Sequence, residues 1–414
     1  MTNIHLKRTT CRGCGSGNLM AFLSLGSTPL ANAFLRDPSE FASERLFPLD
    51  VYFCRNCTLV QLLDVIDAET LFREYIYVTG TSSTMAAHNR AYVRSVADIL
   101  QLRPDDLVVE IASNDGSLLH CFQELGVRTL GVEPASNIAA MARAKGLDTL
   151  NEFFDGSIAA QIAEDHGRAR VVVANNVLAH VDDTLGFLTG CRDLLRPDGR
   201  LVIEVPSLSE LIRKFEYDTI YHEHLCYFSL TAFLRLLDVS CLRAVRVDRV
   251  SVHGGSMRVH ATRADDMSSH ESHVLAMASA EAQAGLGDAS CYTAFAAAVK
   301  EHRSKLSSLL DELQARGNSL AAYGAPAKGN TLLNFCRFTT DLIPYTVDKN
   351  PHKVGLYTPG AHLPVFDAKT LLERQPDLTL LLAWNFADEI LVEQQTYRQR
   401  GGRFILPIPE PRIV

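Results

Sequence analysis

The sequence has little that points to a membrane or to nucleic acid. Its longest apolar stretches, such as residues 378–384, are far shorter than the roughly 20 residues of a membrane-spanning helix. Among its 414 residues, Lys and Arg number 40 against 48 Asp and Glu, and the net charge of −8 comes without a basic tract. Nucleic acid is therefore not expected as a partner. The first residues lack the apolar core of a signal peptide, so we expect a cytoplasmic protein.

Four of the ten cysteines form two close pairs, Cys11 with Cys14 and Cys54 with Cys57. A C-x2-C turn brings two thiolates to one ion, and two such turns complete a tetrahedral site of four sulfurs. Four protein ligands leave no open position for water, so we expect a structural zinc ion in a domain of residues 1–72. Two disulfides or four reduced thiols are the alternatives, and the absence of a secretory signal disfavours disulfides.

Strands and helices alternate from residue 106 onward. Short apolar strands are predicted at residues 107–111, 129–133, 170–174 and 200–205. Helices are predicted to begin near residue 117 and to span residues 182–195. This alternation predicts an α/β domain with a parallel, doubly wound sheet, which we assign to residues 73–264. Ligands of such sheets bind at the carboxyl ends of the strands.

The turn after the first of these strands favours S-adenosylmethionine over NAD. It carries Asn114-Asp115-Gly116 and lacks the G-x-G-x-x-G pattern of a pyrophosphate site, so its acceptor side chains suit a cationic amino group. Glu133, at the end of the second strand, is placed to accept both ribose hydroxyls, although a solvated loop acid is the alternative for this residue alone. Asp155 is expected near the adenine amino group. The candidate cofactor-binding residues are Glu110, Ala112, Asn114, Asp115, Gly116, Glu133, Pro134, Asp155, Asn175 and Asn176.

The densest group of ionisable side chains runs from Tyr221 through His222 and Glu223 to His224. H-E-H lacks the i, i+4 histidines of a zinc-binding helix. In extended backbone the two histidines would share a face away from Glu223, which also argues against a metal site. An imidazole, a carboxylate and a phenol together favour acid–base chemistry. A hydrogen-bonded loop that braces two domains is the alternative.

The remaining sequence predicts a second, smaller α/β domain. A helix over residues 290–316 lies in a connector at 265–318, and strands at 319–323, 342–347 and 378–383 lie within a domain of residues 319–414. Small residues with Lys328 at a helix N-terminus predict an anion site, which we interpret as the holder of a nucleotide diphosphate. The candidate substrate-binding residues are His253, Gly254, Gly255, Ser256, Arg258, Lys328, Asn330, Asp348, Asn350, Trp384 and Asn385.

Two of these substrate assignments have structural alternatives. Trp384 either stacks on the nucleotide base or fills the interface between domains. Gly254 and Gly255 either let the backbone approach a sugar or phosphate or form a plain hairpin turn. We expect the segment from His253 to Arg258 to lie between the two sheets.

Several motifs occur in the order found in one enzyme family. They are the paired C-x2-C turns, Leu30-Ala-Asn-Ala-Phe34, Glu110-Ile-Ala-Ser-Asn-Asp-Gly116, Tyr221-His-Glu-His224 and His253-Gly-Gly-Ser256. Over nearly its whole length the chain thereby resembles the sugar C-methyltransferases, which act on nucleotide-linked 4-keto-6-deoxy sugars in antibiotic and surface-polysaccharide pathways. The resemblance implies a zinc domain, an S-adenosylmethionine domain and a C-terminal Rossmann-like domain around one active site.

The resemblance also implies roles for particular residues. By resemblance, Tyr221, Glu223 and His224 match the acid–base segment, and Tyr75 or Tyr77 matches a tyrosine of the N-terminal domain. With His180, and with His222 as the alternative base to His224, these are the candidate catalytic residues. Tyr75 and Tyr77 follow the zinc domain and are expected to form a lid, and His180 is expected near the sugar. Ala112 departs from the glycine that many members have at this turn.

The expected function is methyl transfer from S-adenosylmethionine to C3 of the sugar, beside its C4 ketone. His224, oriented by Glu223, is expected to remove the C3 proton, and Tyr221 or a tyrosine at 75 or 77 to stabilise the enolate oxygen. Methylation of oxygen or nitrogen on a nucleotide sugar is one alternative, and a non-catalytic zinc-bearing scaffold is another. A TDP-linked sugar is the favoured substrate, and we expect a monomer or homodimer.

Overall fold

The structure is a computed structural model that describes residues 4–75, 80, 83–251, 254–266 and 272–414. The candidate residues Tyr77 and His253 lie outside these ranges. Within them, no helix combines the length and the apolar character that are needed to cross a membrane.

The N-terminal region is built from short antiparallel strands. Its elements are β1 (His5–Lys7), β2 (Leu19–Thr28), β3 (Phe47–Cys54), β4 (Val60–Leu62), β5 (Asp64–Ile66) and the helix α1 (Ala68–Phe72). Alternate residues of β3, beginning with Phe47 and Leu49, are buried, which is the period of a half-buried strand. β2 pairs with β3 so that Leu19 lies opposite Cys54, and the second cysteine pair follows directly at the end of β3.

The central region is an α/β domain, as predicted. Its elements are α2 (Ser83–Leu100), β6 (Leu107–Ile111), α3 (Ser117–Gln123), β7 (Arg128–Val132), α4 (Ser136–Ala144), β8 (Thr149–Leu150), α5 (Gly156–Asp165), β9 (Ala169–Asn175), α6 (Thr184–Leu194), β10 (Leu195–Pro206), α7 (Leu208–Lys214), β11 (Cys226–Tyr227), α8 (Leu230–Val239), β12 (Leu242–Val250) and β13 (Ser256–Arg263). The seven-stranded sheet has the order β12-β13-β10-β9-β6-β7-β8. Its strands are parallel from β8 to β10, and β13 and β12 are added antiparallel at one edge.

The expectation that residues 253–258 lie between the two sheets is wrong for Ser256 and Arg258. Both lie in β13, inside the central sheet, with Ser256 opposite Val250 and Arg258 opposite Glu204 of β10. The Arg258 guanidinium donates to Glu204 Oε2 through Nε and Nη2 at 3.0 and 2.9 Å. Pairing of β13 with β10, rather than the local turn, therefore fixes where these side chains lie.

The C-terminal region is a second α/β unit behind two helices. Its elements are α9 (Ser272–Gln283), α10 (Ala289–Ala315), β14 (Leu320–Tyr323), α11 (Ala327–Cys336), β15 (Thr346–Asp348), β16 (Val365–Asp367), α12 (Thr370–Arg374), β17 (Leu378–Leu381), α13 (Ala387–Glu393), α14 (Gln395–Gln399), β18 (Arg403–Leu406) and β19 (Arg412–Ile413). The sheet order is β16-β15-β14-β17-β18-β19, and only β19 runs antiparallel to its neighbour. The strand predicted from residue 342 begins at Thr346 because Pro344 has no N–H for a ladder.

The three regions are joined through shared strands and a shared core. β11 comes from the central region but extends the N-terminal sheet, with Cys226 opposite Gln61. On the other side, the rings of Phe53 in β3 and Tyr292 in α10 stack at 4.6 Å between centroids. The segment just before β11 is therefore held by the N-terminal sheet as well as by its own domain.

Candidate active site

The four predicted metal ligands converge on one point. The Sγ atoms of Cys11, Cys14, Cys54 and Cys57 all lie within 4.8 Å of one another, with Cys11–Cys57 at 3.5 Å and Cys14–Cys54 at 3.6 Å. Tetrahedral zinc with Zn–S bonds of about 2.3 Å separates its sulfurs by about 3.8 Å, so the cluster fits this ion. All ten cysteines lie within the described ranges, and none of them is paired in a disulfide there. Gln61 donates through Nε2 to Cys11 Sγ at 3.0 Å.

The predicted cofactor turn leaves β6 in a left-handed backbone conformation. Ala112, Asn114 and Gly116 have φ angles of 54°, 51° and 75°. These angles fold the chain back towards β7, where the Asn114 N–H donates to Glu133 Oε2 at 2.8 Å. Only glycine adopts such angles without strain, so the side chain at Ala112 is accommodated at a cost.

Two buried acids beside this turn fit a ligand that carries hydroxyl and amino donors. Glu133 also accepts from the Ala135 N–H at 2.8 Å, which leaves part of its four-lone-pair capacity for a ribose. Burial raises the pKa of Glu133, and the two backbone donors oppose that rise. Glu110 Oε2 is buried and has no hydrogen-bond partner among the described residues. An orphaned acceptor next to a carboxylate suits S-adenosylmethionine, which has an amino group and two ribose hydroxyls.

Asp115 and Asp155, which were also predicted to bind the cofactor, form hydrogen bonds with other residues of the protein. Asp115 pairs with Lys145 Nζ at 2.6 Å and accepts from the Ser117 hydroxyl at 2.7 Å. Asp155 caps α5 by accepting from the N–H groups of Ser157 and Ile158, and the Ser157 contacts lower its pKa. Asp115 thus holds the cofactor turn in shape, and Asp155 starts a helix.

The remaining cofactor candidates lie at the ends of β7 and β9. The Pro134 carbonyl accepts from Arg73 Nη1 at 3.0 Å, which ties the end of the N-terminal region to the cofactor side of the sheet. Asn175 Oδ1 accepts from the Tyr92 hydroxyl at 3.3 Å. Asn176 has a φ of 54°, and its buried Oδ1 has no partner within the described part of the chain.

Residues 221–225 form a tight turn and not extended backbone. The His224 N–H donates to the Tyr221 carbonyl at 2.8 Å, and the Leu225 N–H donates to the Ala179 carbonyl at 2.7 Å. A turn directs successive side chains to different sides. His222 and His224 therefore do not share a face.

Glu223 lies in the middle of this turn, 4% exposed. Its Oε1 accepts from Asn32 Nδ2 at 2.6 Å, and its Oε2 accepts from the Tyr75 hydroxyl at 3.2 Å. Burial raises the pKa of Glu223 to about 7, against the opposing effect of these two donors. Sequence reasoning assigned no role to Asn32, although it lies in the Leu30-Ala-Asn-Ala-Phe34 motif that carried the family resemblance.

His224 packs between two other candidate residues. Its ring centroid lies 4.0 Å from that of Tyr221 and 4.9 Å from that of His180. The expectation that Glu223 orients His224 is wrong at Nδ1, which lies 2.7 Å from the Thr219 carbonyl oxygen. A carbonyl at Nδ1 fixes the tautomer with the proton on Nδ1 and leaves Nε2 as the basic nitrogen. Burial lowers the pKa of His180 to about 4, so this ring is neutral at neutral pH.

His222 points away from the other members of the turn. It is 1% exposed, and its Nε2 lies 3.1 Å from the Pro48 carbonyl oxygen of β3. The Phe47 ring packs edge-on against it at 5.9 Å. Burial lowers the pKa of His222. His222 therefore braces the turn against the N-terminal sheet.

A group of charged and aromatic side chains joins the segment just before residues 221–225 to the C-terminal region. Trp384 donates through Nε1 to Asp218 Oδ2 at 2.7 Å, and Lys328 Nζ lies 4.6 Å from the centre of the Trp384 ring. Burial raises the pKa of Asp218 to about 6 and that of Glu216 to about 7. Burial also lowers the pKa of Lys328, although both acids oppose this. Gly254, with a φ of 84°, approaches the Glu216 carboxylate more closely than a residue with a Cβ can.

The other candidate substrate-binding residues lie in several different elements. Asp348 accepts from the N–H groups of Ala325 and Asn350 at 2.6 and 2.8 Å, which links the ends of β14 and β15. Asn330 is buried and donates to the Ala31 carbonyl at 2.8 Å, next to Asn32. Gly255, with a φ of 126°, precedes β13, and Asn385 is exposed beyond β17.

Three family models match successive parts of the chain. They describe a zinc binding domain at residues 11–72, a methyltransferase domain at residues 85–240 and a C-methyltransferase C-terminal domain at residues 251–409. Together with the four-cysteine cluster and the seven-stranded sheet, they define a multidomain methyltransferase.

A curated relative narrows this class. C-methyltransferase NovU of Streptomyces niveus is 38% identical over 404 residues, covering 98% of this chain and 96% of the relative. The chain belongs to the C-methyltransferase family, and the predicted fold class is confirmed.

Solved structures resemble this chain over less than half of its length. One is magnesium protoporphyrin IX methyltransferase (ChlM) from Synechocystis PCC 6803 with bound SAM. The match covers 44% of this chain and 81% of that protein, with 15% identity and a TM-score of 0.33. The CcbJ methyltransferase from Streptomyces caelestis covers 42% of this chain and 89% of its own, with 15% identity and a TM-score of 0.34. No residue is assigned from these similarities.

Proposed function

We propose that this protein methylates C3 of a nucleotide-diphosphate-linked 4-keto-6-deoxy sugar and uses S-adenosylmethionine as the methyl donor. The position of Tyr75 carries the proposal. Its backbone is held by Asn137 at the start of α4, with N–H to Oδ1 at 3.1 Å and carbonyl to Nδ2 at 2.7 Å. Its hydroxyl donates to Glu223 in the turn at residues 221–225, the proposed catalytic turn. One residue thus connects the helix after Glu133 with the acid–base group, so cofactor and acceptor are expected to meet here.

His224 is the proposed general base. A ketone at C4 makes the C3 proton acidic, and the base must hold a lone pair towards it. The Thr219 carbonyl at Nδ1 keeps the proton on that nitrogen, so Nε2 is the nitrogen that takes the C3 proton. His180, neutral because of its burial, packs against His224 without adding a second positive charge.

Glu223 and Tyr75 are the proposed stabilisers of the enolate oxygen. A carboxyl group with a pKa of about 7 keeps its proton below neutral pH, is half protonated near pH 7, and in its protonated form can donate to a developing oxyanion. In the structure the single Tyr75 O–H donates to Glu223 Oε2, so the two groups form a pair of donors for one oxygen once the enolate oxygen replaces Oε2 as the acceptor of Tyr75. Tyr221, and Tyr77 outside the described residues, are further candidates for a donor at this oxygen.

The remaining groups hold ligands. S-adenosylmethionine supplies an electrophilic methyl group, and Glu133 and Glu110 are the residues that would hold its ribose and amino group. The four cysteines would hold a structural zinc ion with no part in the reaction. Lys328 and Trp384, beside the catalytic turn, are proposed to face the nucleotide diphosphate. A TDP-linked sugar is the favoured substrate.

His224→Asn separates catalysis from binding. We expect it to abolish methyl transfer while the Kd for S-adenosylmethionine, measured by calorimetry, stays close to that of the unchanged protein. His120→Asn, on the exposed surface of α3, is the matched control and is expected to keep full activity. Loss of S-adenosylmethionine binding in His224→Asn would contradict the proposal, because the turn would then be structural.

A further inference from the structure

Arg12 lies between two of the clustered cysteines but extends away from them. Its backbone forms the turn between Cys11 and Cys14, and its side chain is 0% exposed. A buried guanidinium has to place its N–H groups against acceptors, since burying them unpaired is costly. The acceptors that it reaches therefore show what the residue does.

Those acceptors lie in three different segments. Arg12 Nη1 donates to the Leu62 carbonyl at 2.7 Å and to the Leu225 carbonyl at 3.0 Å. Its Nη2 donates to Asp182 Oδ1 at 3.1 Å. Nη1 also lies 3.2 Å from Gln61 Oε1, and the amide of Gln61 donates to the sulfur of Cys11.

Two of these segments carry the candidate histidines. Leu225 directly follows His224, and its N–H donates to the carbonyl of Ala179, the residue before His180. Asp182 follows His180 by two residues. One planar guanidinium thus fixes the spacing of the two segments that hold the His180–His224 pair.

We propose that Arg12 is a positioning residue that couples the four-cysteine cluster to the geometry of the His180–His224 pair. It touches neither substrate nor cofactor. The fork of a guanidinium binds several acceptors in fixed directions, whereas an ammonium group does not. The catalytic consequence rests on the proposed function, while the structural coupling does not.

Arg12→Lys keeps the charge and removes the fork. We expect kcat for methyl transfer to fall roughly 10- to 100-fold, because a displacement of about 1 Å at a reacting group has effects of that order. The KM for the sugar nucleotide, the Kd for S-adenosylmethionine and the zinc content are expected to stay unchanged. Arg8→Ala is the matched control, because Arg8 also pairs with Asp182, at 3.0 Å, but is expected to leave kcat unchanged. A fall in kcat of the same size in both variants would contradict the proposal.

Amide hydrogen exchange tests the coupling without turnover. In Arg12→Lys we expect faster exchange at residues 178–182 and 221–227, with no change at residues 107–111 of β6. If no sugar nucleotide is methylated by the unchanged protein, the proposed function fails, but this local change still supports the role of Arg12. Unchanged exchange in the two segments, loss of zinc, or faster exchange throughout the chain would overturn it.

Asp182→Asn tests the link between Arg12 and the His180 segment by changing the acceptor instead of the guanidinium. The Asp182 side chain is 34% exposed, so this variant is expected to fold. We expect faster exchange at residues 178–182 and a fall in kcat in the same direction as in Arg12→Lys. If both quantities match those of the unchanged protein, the link from Arg12 to the His180 segment is contradicted.

Discussion

Asn32 donates through Nδ2 to Glu223 Oε1 at 2.6 Å and so connects a loop of the N-terminal region to the catalytic turn. The carbonyl of its neighbour Ala31 accepts from Asn330 of α11 at 2.8 Å. One loop therefore contacts both Glu223 and helix α11 of the C-terminal region. The donor that Glu223 Oε1 accepts from is therefore distant from Glu223 in the sequence.

Asn32→Ala removes a donor that stabilises the ionised form of Glu223. The pKa of Glu223, already raised to about 7 by burial, is expected to rise further. Because Glu223 is proposed to act protonated, the alkaline limb of kcat against pH should move to higher pH. Asn18→Ala, at an exposed turn, is the control and should leave the profile unchanged. If Glu223 instead acts ionised, its pKa governs the acidic limb, so a shift of the acidic limb to higher pH with an unchanged alkaline limb would contradict the proposal.

Glu223→Gln tests the same pKa through stability. The pKa of Glu223 rises from 4.5 to about 7 on folding, so the folded state binds more protons between these values. The stability of the unchanged protein therefore falls as pH rises from about 4.5 to about 7, by up to about 3 kcal/mol from this group. Glutamine does not ionise, so urea unfolding at pH 5 and pH 8 should show a smaller loss in the variant. An equal loss in both proteins would refute the raised pKa.

Ala112→Gly should stabilise the protein. Ala112 has a φ of 54°, where a Cβ costs about 1 kcal/mol and glycine costs nothing. Unfolding by urea should show a gain of up to about 1 kcal/mol, reduced by the greater freedom of glycine in the unfolded chain. Ala140→Gly, on the exposed face of α4, is the opposite control and should lose about 1 kcal/mol. Equal losses in both variants would contradict the strain at Ala112.

Cys54→Ser should remove the metal. Metal analysis of the unchanged protein is expected to give one zinc per chain, and the variant should retain far less because a tetrahedral site needs all four ligands. The variant should also unfold at a lower temperature, since metal binding contributes folding free energy. Cys291→Ser, in α10 and outside the cluster, should keep its zinc. An unchanged protein without zinc, or equal zinc in Cys54→Ser, would argue against the assignment.

The fold followed from local patterns wherever a strand is buried on both faces. The stretch Leu107–Ile111 is apolar except for Glu110 and is buried along its whole length inside the sheet, and its predicted bounds are those observed. The four-cysteine cluster could also be predicted from the sequence, because the spacing of the two C-x2-C pairs is typical of a metal site with four sulfur ligands.

The geometry of the proposed catalytic turn could not be predicted from the sequence. The conformation at 221–225 depends on the contact of Leu225 with Ala179, and the partner of His224 is the Thr219 carbonyl. Neither of these two contacts can be recognised from the residue types in the sequence. The role of Arg12 could not be predicted from its position between Cys11 and Cys14, because its hydrogen-bond acceptors come from three distant segments. Tertiary contacts of this kind fix the site, while local sequence fixes the elements that carry it.

The most direct test of the account is the position of the new methyl group. The protein would be incubated with S-adenosylmethionine carrying a ¹³C-methyl group and a panel of TDP-, UDP- and GDP-linked 4-keto-6-deoxy sugars. The account predicts a product heavier by one methylene, whose labelled methyl correlates with C3 of the sugar in NMR spectra. A methyl group on oxygen or nitrogen, or no product from any sugar despite tight S-adenosylmethionine binding, would contradict it.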